Sequence, residues 1–169
     1  MEIQLLVIII IMIACSAFFS ASETALTGAN RIRLKSMAEN GSKGAKMALK
    51  LLDRYDKVIT TILIGNNIVN ITASSLGTIL ATAVVGADNA ALVSTVVLTL
   101  VILAFGEVMP KSLAKDHSEG LTVATSGIIT FLTFIFTPLS ALKARKQAVR
   151  QQEGGYRNRT GAYGYNRRN

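Results

Sequence analysis

The 169-residue chain is 50% hydrophobic and only 17% charged, with a mean hydropathy of +0.43, which is too apolar for a typical soluble domain. Its 18 Lys and Arg against 10 Asp and Glu give a net charge of +8, which in a soluble protein would suggest a nucleic-acid partner. Most basic residues instead flank long uncharged stretches, where membrane-anchoring charge belongs, so we expect contact with a lipid bilayer and no nucleic-acid binding.

Four stretches lack charged residues, and each is about long enough to cross ~30 Å of hydrocarbon at ~1.5 Å per residue. They lie between Gln4 and Glu23, Lys57 and Asp88, Asp88 and Glu107, and Glu119 and Lys143. The chain is therefore predicted to be an all-α integral membrane protein. Its transmembrane domain is predicted over 1–142, followed by a basic juxtamembrane and disordered tail over 143–169.

The first stretch predicts a span over about 3–26. Its alternative is a secretory signal, because Ala14 and Cys15 faintly resemble a lipoprotein cleavage site. The leader carries no Lys or Arg, and the apolar run continues into Glu23 without a clean cleavage site. These two features favour a retained transmembrane helix.

The segment 30–57 is strongly basic, which predicts a cytoplasmic location by the positive-inside rule. Apolar residues recur in it at helical spacing on both sides of the break Asn40-Gly41-Ser42. This pattern predicts two short amphipathic helices at the membrane surface. Their simplest role is that of a surface-anchoring connector.

Two further spans follow, over about 58–85 and 90–109. The turn between them, Gly86 to Asn89, has no basic residue, as expected for the outer side. Basic residues return at Lys111 and Lys115, beyond the third span. This order predicts a multi-pass protein of the plasma membrane with its N-terminus outside and its C-terminus in the cytoplasm.

The fourth apolar stretch, 120–142, conflicts with that topology, because a full crossing would place the basic residues after Lys143 on the outside. Gly127 and Pro138 are natural helix breaks, and a stripe of threonines and a serine makes one side polar. We therefore expect a re-entrant or in-plane helical element packed on the bundle.

Polar residues that lipid would penalise occur in all three predicted spans: Ser16 and Ser20 in the first, Asn66 and Asn70 in the second, and Glu107 in the third. Counting ~1.5 Å per residue places all of them from the bilayer midplane inward. Hydroxyl, amide and carboxylate oxygens without thiol or imidazole favour a hard cation such as Mg2+, Ca2+ or Na+. A single carboxylate undercompensates a divalent ion, so binding should be weak, as transport requires.

Each candidate ligand also has a structural explanation. The serine pair would let helices approach closely, and the asparagine pair would form interhelical hydrogen bonds. Glu107 could be an interfacial acid that snorkels to water or pairs with Lys111. No Ser, His and acid grouping is evident, since the sole histidine, His117, lies in a charged loop, so an enzyme is not expected.

Three motifs contain these residues, in this order: Ser16 followed by Phe19-Ser20-Ala21-Ser22-Glu23-Thr24-Ala25, then Gly65-Asn66-Asn67-Ile68-Val69-Asn70, then Phe105-Gly106-Glu107-Val108-Met109-Pro110-Lys111. Together they resemble the transmembrane domain of the CorC and cyclin M family of magnesium transporters. The resemblance covers roughly residues 3–142. One departure is Ala21, where the family usually has glycine.

The resemblance implies a homodimer whose subunits each have three transmembrane helices, a pair of short helices, a juxtamembrane helix and an inward-open cavity holding a largely dehydrated Mg2+. It implies Ser16, Ser20, Asn66 and Glu107 as ligands, with Asn70 and backbone carbonyls near Gly106 as further candidates. The function it implies is Mg2+ export coupled to inward Na+ movement. Regulatory CBS modules usual in the family have no counterpart after Leu142, so nucleotide regulation is not predicted for this chain. The alternative is a non-transporting Mg2+ sensor or scaffold.

Overall fold

A computed structural model describes residues 2–136 of the chain, so the predicted tail 143–169 and the end of the predicted element 120–142 lie outside the described residues. Residues 2–136 contain helices and no strand. The elements are α1 (Glu2–Gly28), α2 (Arg31–Glu39), α3 (Lys43–Leu52), α4 (Tyr55–Val85), α5 (Ala87–Val101), a π-helical segment (Ile102–Val108), α6 (Met109–Asp116) and α7 (Ser118–Phe136).

Four helices are long and apolar enough to cross a membrane: α1, α4, the continuous helix Ala87–Asp116, and α7. Their outward side chains are largely apolar, with Ile3, Leu92 and Phe134 between 72% and 78% exposed. Such a surface is stable in hydrocarbon and would be an aggregation hazard in water. The predicted all-α, multi-pass membrane class is thereby confirmed, whereas the arrangement with three crossings stays a prediction.

The two short helices predicted in the basic segment are present, because the sequence caps both of them. The side chain of Asn30 accepts hydrogen bonds from the backbone N–H groups of Ile32 and Arg33 at the start of α2. Ser42 accepts one from Ala45 at the start of α3. Between the helices Gly41 has a φ of +93°, a conformation that favours glycine.

The predicted four-residue turn over 86–89 is wrong in length. Gly86 alone makes the reversal with a φ of +82°, and Ala87 already begins α5. A glycine reaches this backbone region without steric cost, so one residue suffices to end α4. Asp88 then lies in the first turn of α5, where the helix dipole favours a negative charge.

The helix that contains the third predicted span does not end near residue 109. The helix continues through the π-helical segment into α6 and ends at Asp116. Pro110 stands in the first turn of α6, directly after the π-helical segment. A proline lacks the backbone N–H and crowds the preceding turn, and the wider π turn accommodates both effects.

Helix α7 corrects one prediction and supports another. Gly127 does not break the helix, because a single glycine lowers helix stability by only about 1 kcal/mol and leaves the backbone hydrogen bonds intact. Pro138 lies outside the described residues. Thr122 and Ser126 are buried and donate hydrogen bonds to carbonyls of their own helix, so this part of the polar stripe faces the bundle, whereas Thr130 is exposed. Its predicted in-plane or re-entrant placement stays a prediction.

The core of the bundle joins α1 to α4. It is formed by buried residues of four helices: Phe19, Leu26, Leu51, Val58, Ile62 and Ile129. The ring of Phe19 lies against Gly65, where an added Cβ would come within 2.5 Å of the ring. The absence of a side chain at Gly65 therefore sets how closely α1 approaches α4.

Replacing Gly65 with alanine is expected to destabilise the protein by about 1–3 kcal/mol, because the added methyl group overlaps the Phe19 ring. Gly127→Ala is the matched control, since a Cβ there meets nothing within 4 Å and alanine favours the helix. Thermal unfolding in detergent, followed by circular dichroism, compares the two. Equal midpoints for both variants would contradict the close approach.

Candidate cation site

The first polar contact in the bundle connects α1 to α4. The hydroxyl of Ser16, which has no exposed surface, donates a hydrogen bond to Oδ1 of Asn66 at 3.0 Å. Such bonds between membrane helices contribute about 0.6–2 kcal/mol. The contact brings the first predicted serine and the first predicted asparagine together.

The second contact connects α4 to the π-helical segment. Nδ2 of Asn70 donates to Oε1 of Glu107 across 3.5 Å, the upper limit for a hydrogen bond. The other amide atom, Asn70 Oδ1, is buried and has no hydrogen-bond partner among residues 2–136. A carboxylate and an unsatisfied carbonyl-type oxygen therefore lie on neighbouring side chains.

The π-helical segment also touches α1. Gly106 is buried, and a Cβ built on it would lie 3.0 Å from the Ser16 hydroxyl, so a side chain at this position would press on that oxygen. The small residue allows the backbone next to Glu107 to approach Ser16. π-Helical turns are rare and occur frequently at functional sites. No periodicity in the sequence predicts this segment, and Gly106 is its only visible signal.

Ser20 differs from most other hydroxyl residues of the bundle. Thr27, Thr61 and Thr72, for example, donate to the carbonyl four residues earlier in their own helix. Ser20 is completely buried, yet its hydroxyl has no partner in the described part of the chain. An unsatisfied buried polar group is unfavourable unless something else binds it.

These oxygens form a donor set suited to a hard cation. Ser16, Asn66, Asn70 and Glu107 are linked pairwise by direct contacts, and Ser20 lies one helical turn from Ser16. Residues 2–136 contain no group of three or more His, Cys, Asp and Glu side chains that could hold a metal ion. Any cation here would rely on hydroxyl and amide oxygens with one carboxylate, which suits Mg2+, Ca2+ or Na+ better than Zn2+.

One alternative from the sequence does not agree with the structure. Lys111, considered above as a partner of Glu107, instead lies 3.7 Å from Oε2 of Glu23. Glu23 projects from the same face of α1 as the serine pair, so the contact places Lys111 next to that face. The sequence did not predict this pair. Glu107 keeps Asn70 as its hydrogen-bonding neighbour.

The two serines are expected to differ in their effect on the stability of the cation-free protein. Ser16→Ala removes the bond to Asn66 and should lower the free energy of unfolding by about 1 kcal/mol. Ser20→Ala removes a buried hydroxyl that has no partner in the described residues and should leave stability unchanged or raise it. Thermal unfolding in a chelator-treated buffer measures both. A larger loss for Ser20→Ala would contradict the described contacts.

Comparison with known proteins identifies the family of this chain. The model of the cyclin M transmembrane N-terminal domain matches residues 7–150. A UPF0053 protein of Haemophilus influenzae is 44% identical over 135 residues, which are 80% of this chain and 32% of that protein. The inner membrane protein YfjD of Escherichia coli is 44% identical over 124 residues, covering 73% of this chain and 29% of its own length.

A more distant relative, a polyamine export protein of Haemophilus influenzae, is 27% identical over 143 residues, covering 78% of this chain and 33% of that protein. The chain thus spans about a third of the length of these curated relatives. The matched region contains all three motifs and the contacts between Ser16, Asn66, Asn70 and Glu107. The chain therefore belongs to the family of the cyclin M transmembrane N-terminal domain, as its motifs predicted.

Proposed function

We propose that the chain is the membrane domain of a Mg2+ transporter, which moves Mg2+ out of the cell through an inward-facing cavity in exchange for Na+. The observation that carries this proposal is that two predicted ligand oxygens, Ser20 Oγ and Asn70 Oδ1, are buried without a partner among residues 2–136, and that Asn70 contacts the Glu107 carboxylate. Family membership supports a transport role in general.

The chemistry of the cluster suits a transported ion better than a permanent one. Mg2+ demands near-octahedral oxygen ligands and loses water reluctantly, so neutral oxygens must replace several waters. Glu107 supplies one negative charge against two positive charges on the ion. The remaining imbalance keeps binding weak, so the ion can leave once the site opens to the other side.

The Ser16 hydroxyl and the Asn70 amide need only small changes in orientation to bind Mg2+. Ser16 donates a hydrogen bond to Asn66, and the lone pairs of its hydroxyl can be turned toward an ion. The amide of Asn70 already presents Oδ1 without a partner among residues 2–136, while its Nδ2 holds Glu107. Together with Ser20 and Asn66, these groups would form the Mg2+ site.

The arrangement in the membrane is part of the same proposal. Three crossings by α1, α4 and the continuous helix Ala87–Asp116 place the N-terminus outside and the basic helices α2 and α3 in the cytoplasm. Two copies of the chain form the homodimer expected from the resemblance. Each copy contributes its own cluster of oxygens.

A polyamine is the second candidate substrate. One relative is named a polyamine export protein, and ammonium groups donate hydrogen bonds to the same hydroxyl, amide and carboxylate oxygens. The cluster contains only one described carboxylate, Glu107, whereas a polyamine carries two or more separated charges. The oxygen set therefore favours the compact divalent ion.

Transport in liposomes tests the proposal. With Mg2+ loaded inside and an indicator dye outside, the wild type should release Mg2+, and an imposed Na+ gradient should change the rate. Glu107→Gln and Asn66→Ala should each reduce the flux at least about tenfold, since each changes one of only five proposed ligand residues. Asn67→Ala is the matched control, because Asn67 is exposed and adjacent to Asn66.

Three other outcomes each have a distinct meaning. Equal flux in all variants would reject the assigned site. Stabilisation by Mg2+ without flux under any Na+ gradient would favour the sensor or scaffold. Flux of spermidine, but not Mg2+, that depends on Glu107 would make the polyamine the substrate.

A further inference from the structure

A pair of opposite charges lies next to the oxygen cluster. Nζ of Lys111 in α6 is 3.7 Å from Oε2 of Glu23 in α1. Both side chains are partly accessible, with 41% and 27% of their surface exposed. This Glu23–Lys111 pair connects the two helical elements that also carry Ser20 and Glu107.

Helix geometry places the pair toward the end of the bundle that carries α2 and α3. Glu23 follows Ser20 by three residues on the same face of α1, and Lys111 follows Glu107 by four residues in the same continuous helix. Both helices run toward that end, where Gly28 lies against Ser118. The pair therefore lies about one helical turn beyond the oxygen cluster.

A partly exposed ion pair contributes at most about 1 kcal/mol to stability, so it can open readily. Its charges nevertheless act on any cation nearby, because Coulomb interactions extend over about a Debye length. The Glu23 carboxylate attracts an approaching cation, and the Lys111 ammonium competes with that cation for the same oxygens.

We propose that the Glu23–Lys111 pair controls cation entry to the site, with Lys111 acting as an internal cation that an incoming Mg2+ displaces from Glu23. This inference rests on the proposed function and adds a second carboxylate to it. Glu23 receives the ion transiently at the entrance, while the five predicted residues hold it deeper in the bundle. Lys111 keeps Glu23 neutralised when no ion is present.

The proposal predicts opposite effects for the two partners. Lys111→Gln frees the Glu23 carboxylate and should raise the apparent Mg2+ affinity on the order of three- to tenfold. Glu23→Gln leaves the ammonium uncompensated near the site and should lower the affinity by a similar factor. The double variant restores the net charge of the pair and should lie close to the wild type. Lys111→Arg keeps the charge and should also resemble the wild type.

Mg2+-dependent thermal stabilisation measures these affinities without requiring transport. Arg33→Gln provides the matched control, because Arg33 and Glu119 form a comparable pair at 3.6 Å between α2 and α7. That variant should leave the Mg2+ response unchanged. Lys111→Met is a second neutral variant that can replace Lys111→Gln if the latter does not fold.

A purely structural clamp between α1 and α6 would give a different pattern. Both single variants would then lower the thermal midpoint without Mg2+ and shift the Mg2+ response in the same direction. That pattern, or no shift in either single variant while the wild type responds, would overturn the role of the pair and leave the oxygen cluster intact. A wild type without any Mg2+ response would overturn the proposed function and this inference together.

Discussion

The close packing of α1 against α4 is the constraint on which the rest of the structure depends. It requires Gly65 opposite Phe19, and it completely buries Ser16 and Ser20 between helices. Once buried, these hydroxyls need partners, because the bundle interior offers little water. Ser16 finds Asn66, while Ser20 has no partner in residues 2–136. The same packing that stabilises the bundle thus leaves a buried, unsatisfied hydroxyl one helical turn from Ser16.

The π-helical segment is the third element of the candidate site, after α1 and α4. In a regular α-helix the side chains of residues 102–108 would repeat their direction every 3.6 residues. The wider π turn changes this period and therefore changes which residues face α1 and α4. Gly106 then touches Ser16 and Glu107 reaches Asn70. Local irregularity of the backbone, next to Pro110, is therefore what brings the carboxylate to the hydroxyl and amide oxygens.

Charge is distributed unevenly along the bundle. The oxygen cluster has a single described carboxylate, and the next turn toward the basic helices holds a neutralised pair. Beyond it lie the exposed lysines of α3, Lys43, Lys46 and Lys50, on the face opposite its buried alanines. The positive charge of α3 disfavours cations at that surface, so attraction of a cation toward the bundle would depend on the carboxylates of Glu23 and Glu107.

The sequence alone determined the membrane class, the existence of the long helices, the caps of α2 and α3, and the residue types of the candidate site. These features depend on composition, local capping and spacing along one helix, all of which are encoded within a few neighbouring residues. Only the tertiary structure decided that Lys111 pairs with Glu23 and that the helix of the third predicted span continues through a π-helical segment to Asp116. The first depends on a contact between helices that are distant in sequence, and the second depends on a change of helical period, for which Gly106 is the only signal in the sequence.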